Sequence, residues 1–348
     1  MGRPVENGES IPQAPRLAWR GVVVTDATQV LRLRIDPSQA GLRLDQALAA
    51  LLPDFSRSRL QAWIDAGRVQ MDGAPCRRRD KVWGGEEVYL DPVLAPRDEC
   101  LPEAIPLTIV YEDEQILIID KPAGLVVHPA AGNPDGTLQN ALLHHAPELD
   151  CLPRSGIVHR LDKDTTGLLV VAKTTKAHRS LVEQLQARTV HREYRALVVG
   201  ALVSGGLVDA PIGRHPTQRI RMAVVRDGRP AVTHYQVLER FPAHTLLGVR
   251  LETGRTHQIR VHLSHLRHPL VGDAVYAGRP RLPKAASPTL LAALQGFPRQ
   301  ALHAIRLGLL HPGTGEPMSW EIQMAPDLEA LLGVLRNESS QESHLGLD

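Results

Sequence analysis

The feature that most constrains this chain is a charged loop that leads directly into an apolar run. Residues 168–172 are Leu-Leu-Val-Val-Ala, which is the length and composition expected of a buried strand. Two carboxylates, Asp162 and Asp164, precede the run among three cations: Arg160, Lys163 and, when protonated, His159. Neighbouring cations keep a carboxylate ionised, and a loop held by a rigid strand is a common position for catalytic groups. The loop therefore offers a candidate nucleophile or base.

An ordinary turn is the competing interpretation of this loop, because Asp, Thr and Gly are frequent in turns and at helix caps. The order of the residues favours chemistry instead. Residues 159–169, His-Arg-Leu-Asp-Lys-Asp-Thr-Thr-Gly-Leu-Leu, closely resemble the signature loop of the RluA-type pseudouridine synthases. In that family the Asp after Arg-Leu is the catalytic nucleophile, so the resemblance implies this role for Asp162.

Four further segments resemble the same family, and the likeness extends from about residue 40 to residue 325. These segments are Lys121–Pro129, His191–Ala196, Gly254–His262, and Ala301–Ala304 together with His311-Pro312. The resemblance implies that Tyr194 packs against the target base and that Arg255 forms a salt bridge with the catalytic carboxylate, which would lower its pKa and orient it. Judged without the family, Tyr194 is better explained as a half-buried packing residue, and Arg255 as a surface cation.

The pattern of strands and helices predicts the fold class of the larger domain, residues 107–335. Apolar or alternating runs predict strands at 116–119, 168–172, 190–199, 231–238, 245–251 and 301–310, and helical spacing predicts helices at 137–145, 177–187 and 256–266. Strands outnumber helices and do not alternate regularly with them. This favours an α+β domain with a mixed, largely antiparallel sheet, and the resemblance implies the pseudouridine synthase fold.

Residues 38–95 are predicted to form a separate small αβ module. Leucines at helical spacing indicate one helix, Ser56 could cap a second, and a strand at 68–71 is followed by the turn Asp72-Gly73 and a returning strand at 86–90. These segments resemble the small S4-like module that binds RNA. The resemblance implies salt-dependent phosphate binding by its arginines, although a solvated basic face is the alternative: Arg57, Arg59, Arg77, Arg78 and Arg79.

The remaining segments are predicted to connect or flank these domains. Residues 1–37 show little periodicity and are expected to be mostly a flexible tail, with one strand at about 30–35. Residues 96–106 belong to a proline-rich stretch with the character of a linker. Residues 336–348 are polar and are expected to form a flexible C-terminal tail.

Overall charge places a limit on nucleic-acid binding. The 40 basic and 38 acidic residues give a net charge of +2, so any RNA surface must come from local clustering. Aromatic residues make up 3% of the chain, which argues against a protein that reads RNA by stacking bases on several rings. The larger domain's candidate RNA-binding residues are His128, Arg160, Arg214, Arg219, Arg221 and Arg260, and a further basic cluster spans residues 279–284.

Neither a metal nor a cofactor is expected. The three cysteines are far apart and lack zinc spacing, and His262, His265 and His268 have no nearby Cys or carboxylate partner, which favours an RNA-facing or solvated edge. No apolar run approaches the ~18 residues of a membrane span, and the N-terminal region lacks the apolar core of a signal peptide. We expect a cytoplasmic monomer.

The resemblance implies an isomerase that converts uridine to pseudouridine in RNA without redox chemistry or hydrolysis. Loops at residues 128–136 and 214–217 resemble a branch of the family that acts on 23S ribosomal RNA, which implies the large ribosomal subunit precursor as partner and several uridines in the helix 69 hairpin loop as targets. The carboxylate could attack the anomeric carbon, add to the uracil ring, or remove the 2′ hydrogen. The sequence leaves these routes open.

Two other functions remain as alternatives. Residues 162–166 loosely resemble the aspartyl-phosphate loops of phosphotransferases, which need Mg²⁺ and further carboxylates, so activity that survives a chelator would argue against this class. The chain could also be a non-catalytic RNA-binding or ribosome-assembly factor with the same fold. The presence of Asp162, Tyr194 and Arg255 argues against that alternative.

Overall fold

The computed structural model describes two compact units. It covers residues 23–24, 30–52, 55, 57–91, 100–130, 132–218, 221–278, 283 and 286–344, without the side chains of residues 23, 24, 58, 59 and 342–344. The units are Met1–Glu99 and Cys100–Asp348, so the division falls within the predicted linker. Each unit has its own hydrophobic core. Among the described residues, every helix is too short or too polar to span a bilayer.

The first unit combines a five-stranded antiparallel sheet with two helices. Its strands are β1 (Val23–Val24), β2 (Leu31–Arg34), β3 (Val69–Met71), β4 (Ala74–Pro75) and β5 (Glu87–Leu90), and its helices are α1 (Leu44–Leu51) and α2 (Arg57–Asp65). The strand order is β1-β2-β5-β3-β4. The turn at Asp72-Gly73 connects β3 to β4, and the predicted returning strand, β5, pairs with β3 on the other side. Ser56, the predicted cap, lies outside the described residues.

The module extends further towards the N-terminus than predicted. Strand β2 confirms the strand predicted at about 30–35, within a segment, 1–37, that was otherwise expected to be a flexible tail. The side chains of Leu31, Leu33 and Ile35 are buried in the module's core. A boundary at residue 38 is therefore too late, because it would remove a strand and three core residues from the module.

The second unit is built on a nine-stranded sheet. Its strand order is β10-β13-β14-β9-β15-β8-β7-β6, with β16 beside β15, and a separate ribbon is formed by β11 and β12. The strands are β6 (Thr108–Glu112), β7 (Ile116–Lys121), β8 (Thr166–Ala172), β9 (His191–Val199), β10 (Gly206–Asp209), β11 (Ile212–Arg214), β12 (Met222–Val224), β13 (Val232–Arg240), β14 (His244–Leu251), β15 (Leu302–Leu310) and β16 (Pro317–Glu321). The helices are α3 (Leu138–His145), α4 (Thr175–Gln186), α5 (Gln258–His265), α6 (Pro288–Gly296) and α7 (Pro326–His344).

The strand pairing confirms a mixed, largely antiparallel sheet. Strands β8 and β15 pair in parallel, and the other pairs of the described sheet are antiparallel. Both faces of β7 are covered: Leu117 and Ile119 pack into one hydrophobic cluster, and Ile116 and Ile118 into another. Because successive side chains of a strand point to opposite faces, a strand buried on both faces reads as a continuous apolar run.

Two predicted boundaries of the larger domain differ from the structure. Helix α7 continues to His344 and so includes residues 336–344 of the segment 336–348 that was expected to be a flexible tail. Its residue Arg336 donates hydrogen bonds of 3.0 Å to Glu239 on β13. At the other end, the last part of the predicted linker packs onto this unit, where Asn140 Nδ2 donates to the Leu101 carbonyl at 2.8 Å.

The start of β8 approaches β15 very closely, and this contact positions the loop before it. A Cβ atom at Gly167 would lie 2.2 Å from the Ala304 carbonyl oxygen, and Gly167 has a φ of +110°. Both facts require glycine here. On the neighbouring residue, the Thr166 hydroxyl hydrogen-bonds His303 Nδ1 at 2.8 Å. The loop that carries Asp162 therefore enters the sheet at a rigid point.

Candidate active site

A cleft of about 570 Å³ opens where the loop before β8 meets the start of helix α5. The loop is fixed from the side of β15: Gln300 Nε2 donates to the Thr165 hydroxyl at 3.1 Å, and Arg299 Nη1 donates to the Asp164 carbonyl at 3.2 Å. The cleft brings together most of the side chains that the sequence predicted for this site: His128, Arg160, Asp162, Tyr194, Arg255 and Arg260.

The Asp162 carboxylate lies at the edge of the cleft and is held by an arginine. Arg260 Nη1 donates to Asp162 Oδ2 at 3.0 Å, while 16% of the Asp162 side chain remains exposed. The other nitrogens of the guanidinium, Nε and Nη2, donate to the buried Asp273 at 2.7 and 2.9 Å. Burial alone would lower the pKa of Arg260, but its bonds to Asp273 and Asp162 raise that pKa above its ordinary value. Arg260 is therefore a permanent, fixed cation beside the candidate nucleophile.

This contact corrects the predicted roles of two arginines. Within the described residues, the arginine that contacts Asp162 is Arg260, not Arg255 as the resemblance implied. Arg255 lies before α5, and its Nε donates to the Pro230 carbonyl at 3.0 Å. Arg260, predicted to bind RNA, is buried in the first turn of α5. The signal was present in the sequence: a cation between the apolar neighbours Ile259 and Val261 has to be paired when it is buried.

Tyr194 projects from β9 into the same cleft. Its side chain is buried, and its strand is paired on both sides, with Val249 of β14 and Ala304 of β15 as cross-strand neighbours. Burial raises the pKa of the phenol; the charge of Asp162 raises it further, and Arg192 opposes the shift. The phenol is therefore neutral at physiological pH and offers a flat apolar face beside Asp162.

His159 does not act as the third cation of the loop. Its Nε2 accepts a hydrogen bond from the Val170 backbone N–H at 3.0 Å. Burial, together with the charge of Arg192, lowers the pKa of His159 to about 3. A neutral imidazole that accepts from β8 anchors the loop to the strand, so the expected cationic role of His159 is replaced by a structural one.

Lys121 is a part of the site that the sequence analysis did not assign. This fully buried side chain at the end of β7 donates from Nζ to the carbonyls of Pro122, Leu125 and Lys163, at 2.7, 3.0 and 2.8 Å. Burial lowers its pKa to about 8, against the opposing charges of Asp164 and Asp162. Lys121 thereby ties β7 to the loop that carries Asp162. A lysine that ends an apolar run was the available signal.

Tyr276 is a second unassigned residue, and it organises the rim near Arg260. Its ring lies under the guanidinium groups of Arg260 and Arg221, at 5.0 and 5.3 Å from the ring centre. Its hydroxyl accepts from the Met222 backbone N–H at 3.0 Å and hydrogen-bonds His257 Nδ1 at 2.8 Å. The other ring nitrogen of His257 lies 3.9 Å from Asp162 Oδ1.

The other predicted RNA-binding residues have different surroundings. At the cleft, Arg160 is exposed. Burial lowers the pKa of His128 to about 4, and the positive charges of Arg154 and Arg160 contribute to this shift. Arg214 lies at the end of β11, and Arg219 lies outside the described residues. Of the basic cluster at 279–284, the structure describes residue 283 alone.

The arginines of the small module are only partly available to RNA. Arg57 forms a 2.7 Å ion pair with the buried Asp45, and Arg78 lies 3.5 Å from Asp65. Arg77 and Arg79 are exposed. The side chain of Arg59 is not among those described.

The three histidines at 262, 265 and 268, at and after the end of α5, do not form a solvated or RNA-facing edge. His262 is buried, where it hydrogen-bonds the Thr233 hydroxyl and the Ala210 carbonyl, both at 2.9 Å. His268 Nδ1 lies 2.9 Å from the Val199 carbonyl oxygen. Two of the three side chains are therefore structural. In the described part of the chain, no group of three or more His, Cys, Asp or Glu side chains could hold a metal ion.

Comparison with known proteins identifies the family. The sequence profile of RNA pseudouridylate synthases matches residues 115–265, and the S4 domain profile matches residues 42–88. A ribosomal large subunit pseudouridine synthase D of Xanthomonas campestris is 57% identical over 316 residues, which are 90% of this chain and 96% of that protein. The chain belongs to the RNA pseudouridylate synthase family. The resemblance stated from the sequence is therefore confirmed.

Other members of the family agree with this assignment. Proteins named ribosomal large subunit pseudouridine synthase D from Pseudomonas aeruginosa and Escherichia coli are 60% and 55% identical, over 86% and 88% of this chain and 93% and 94% of their own lengths. The solved structure of human RNA Pseudouridylate Synthase Domain Containing 4 is similar with a TM-score of 0.52 at 29% identity, over 66% of this chain and 93% of that one. The fold class and the enzyme class predicted from the sequence, an RNA pseudouridine synthase, are confirmed.

Proposed function

We propose that this chain isomerises uridines to pseudouridines in 23S ribosomal RNA, with Asp162 as the nucleophile. The observation that carries the proposal is the Asp162 carboxylate, held 3.0 Å from a fixed arginine at the edge of a cleft that also contains Tyr194. One oxygen is occupied by Arg260, and the partly exposed side chain still faces the cleft. Such a carboxylate is oriented before the substrate arrives.

The chemistry requires an ionised carboxylate beside an everted nucleoside. Everting a base costs a few kcal/mol, which binding to the rest of the RNA must supply. The flat phenol of Tyr194 provides a surface for the everted ring, and Arg260 places a fixed positive charge beside the Asp162 carboxylate as water leaves the cleft. Attack on the anomeric carbon, addition to the uracil ring and removal of the 2′ hydrogen all start from this arrangement. None of them needs a redox cofactor or a metal.

The substrate proposal rests on the relatives and on the exposed cations. The three bacterial relatives described above carry names that place their activity in the large ribosomal subunit. Arg154 and Arg160 are exposed at the cleft and can contact phosphates beside the target nucleotide. We propose several uridines of the helix 69 hairpin loop as targets and the large-subunit precursor as partner. We further propose that the chain works in the cytoplasm as a monomer.

The direct test replaces the Asp162 carboxylate with an amide of the same shape. Purified Asp162→Asn protein, mixed with unmodified 23S rRNA transcript, should bind the RNA but form pseudouridine at least about 10³-fold more slowly than the unsubstituted enzyme. Asp164→Asn is the matched control, because it removes a carboxylate from the same loop and should retain most of the activity. Substantial product from Asp162→Asn would overturn the proposal.

A further inference from the structure

The small module exposes an indole. The side chain of Trp83 is 71% exposed, whereas Trp63 in the same unit is buried and packs edge-on against Phe55 at 5.0 Å. Burying an aromatic ring is among the larger stabilising contributions that a side chain can make, and Trp83 does not make it. One exposed apolar residue is ordinary by itself. The fixed position of Trp83 and the residues around it suggest that its exposed side chain binds a partner.

The backbone around Trp83 is held rigidly. The Glu86 carboxylate accepts from the backbone N–H groups of Trp83 and Gly84, at 2.5 and 2.8 Å. Gly84 lies so close to Pro37 that a Cβ atom there would be 2.6 Å from Pro37 Cα. Val82, the residue before Trp83, is fully buried in the module's core. The indole therefore projects from a turn whose conformation is set before any partner binds, which reduces the entropy lost on binding.

Besides the Glu86 carboxylate that holds its backbone, the indole follows a segment of the chain that is rich in cations. Lys81 and Trp83 lie on either side of the buried Val82 and are both exposed, as alternation along an extended segment requires. Three exposed arginines precede them in the chain: Arg77, Arg78 and Arg79. Leu42, whose carbonyl accepts from Val82 N at 3.0 Å, is a partly exposed apolar residue beside this segment, with 39% of it exposed.

This composition fits RNA better than a protein surface. Arginine and tryptophan are both common at protein–protein interfaces, but lysine is depleted there, and Lys81 lies two residues from the indole. Arginine and lysine around a single aromatic ring instead match a strand of RNA, in which phosphates alternate with flat bases. A base in a continuous duplex is covered on both faces by its neighbours, so only an unpaired base offers a face to an indole.

We propose that Trp83 stacks on an unpaired nucleobase of the RNA while Lys81 and the adjacent arginines contact phosphates on either side. The proposal rests on the proposed function, since it takes the same RNA as the ligand. Stacking tolerates every base, because each has a π face. The module then recognises a loop or bulge, not a sequence, and adds affinity for RNA that contains an accessible base.

Binding by full-length variants tests the proposal, with unmodified 23S rRNA transcript as the probe. Trp83→Ala should weaken binding by about 5- to 150-fold, and Trp83→Phe should retain most of the affinity, because a phenyl ring still stacks. The slope of log K against log salt should not change for Trp83→Ala, whereas Lys81→Ala should reduce it by about one. Leu101→Ala is the matched control, since Leu101 is an apolar side chain 61% exposed in the other unit. Equal affinity of Trp83→Ala and the unsubstituted protein would overturn the proposal.

Fluorescence distinguishes RNA from other partners. The chain has four tryptophans, so subtracting the spectrum of Trp83→Phe isolates the signal of Trp83. A hairpin with an unpaired loop should quench this signal, and a continuous duplex of the same length should quench it far less. Quenching by anionic lipid vesicles in place of the hairpin would contradict the proposal. Pseudouridine formation by the unsubstituted protein on the same transcript tests the proposed function separately: product together with unchanged Trp83→Ala binding would reject only the stacking role.

Discussion

Arg260 donates a 3.0 Å hydrogen bond to Asp162 and is prevented from turning away by Asp273 on its other side. The candidate nucleophile is therefore oriented by a cation that is itself fixed by a buried carboxylate. A guanidinium can do this because its donors form a rigid planar fork. An ammonium group is a single point charge and cannot bridge both carboxylates in the same way.

Replacing Arg260 by lysine should therefore reduce activity even though the charge is kept. We expect single-turnover pseudouridine formation to slow by about 10²- to 10³-fold, the effect typical of removing one fixed donor from an active site. Arg255→Lys is the matched control and should lose less than about 10-fold, because Arg255 donates to a carbonyl and not to Asp162. A larger loss of activity in Arg255→Lys than in Arg260→Lys would instead support the predicted salt bridge between Arg255 and the carboxylate.

Replacing Lys121 by methionine should change how stability depends on pH. The folded-state pKa of Lys121 is about 8, below its ordinary value of 10.5. Between these values the unfolded chain binds the proton and the folded chain does not, so this group makes the free energy of unfolding rise with pH, by up to about 1.4 kcal/mol per unit. Urea unfolding at pH 8 and pH 10 should show this rise in the unsubstituted protein relative to Lys121→Met. Parallel curves for the two proteins would contradict the assignment.

Replacing His159 by glutamine should make the protein less sensitive to acid. The folded-state pKa of His159 is about 3 and the ordinary value is 6.5. As pH falls through this window the unfolded chain takes up a proton that the folded chain excludes, so the free energy of unfolding decreases, by up to about 1.4 kcal/mol per unit. The His159→Gln variant has no imidazole at this position to take up the proton. Its free energy of unfolding should therefore fall less between pH 6.5 and pH 4 than that of the unsubstituted protein. An equal fall, measured by urea unfolding, would indicate that His159 is readily protonated in the folded protein.

Gly167 should tolerate no side chain. Its backbone conformation disfavours other residues, and the added Cβ would collide with the Ala304 carbonyl. We expect Gly167→Ala to lower the free energy of unfolding by more than about 2 kcal/mol and to displace the loop before β8. Gly136→Ala is the control, since it also has a positive φ but open space for a Cβ, and it should cost about 1 kcal/mol or less. Similar losses in both variants would show that the contact with β15 is unimportant.

The sequence predicted the features that depend on local pattern. The continuous apolar runs at β7 and β8 indicate strands buried on both faces, and the structure has them there. Asp162 could be chosen as the candidate nucleophile because its charged loop abuts such a strand and matches a family signature. Helix α7 was not predicted, and residues 336–348 were expected to be a tail because they are polar; what holds Arg336 in place is a contact with Glu239 on β13, distant in the sequence.

The arrangement around Asp162 depends on contacts between distant segments, which spacing alone does not reveal. Arg255 and Arg260 are both cations in one motif, and only the start of α5 at Gln258 decides which one meets the carboxylate. Lys121 is 42 residues from the Lys163 carbonyl that it binds. A cation inside an apolar segment is the useful sign in both cases, because a buried charge must have a partner.

A pseudouridine map of ribosomal RNA tests the central claim most directly. We predict that cells lacking this protein lose pseudouridines from 23S rRNA, and that the unsubstituted gene and the Asp164→Asn gene restore them. The Asp162→Asn gene should restore none, although its product accumulates and binds the RNA. Restoration by Asp162→Asn, or an unchanged map in cells without the protein, would contradict the account.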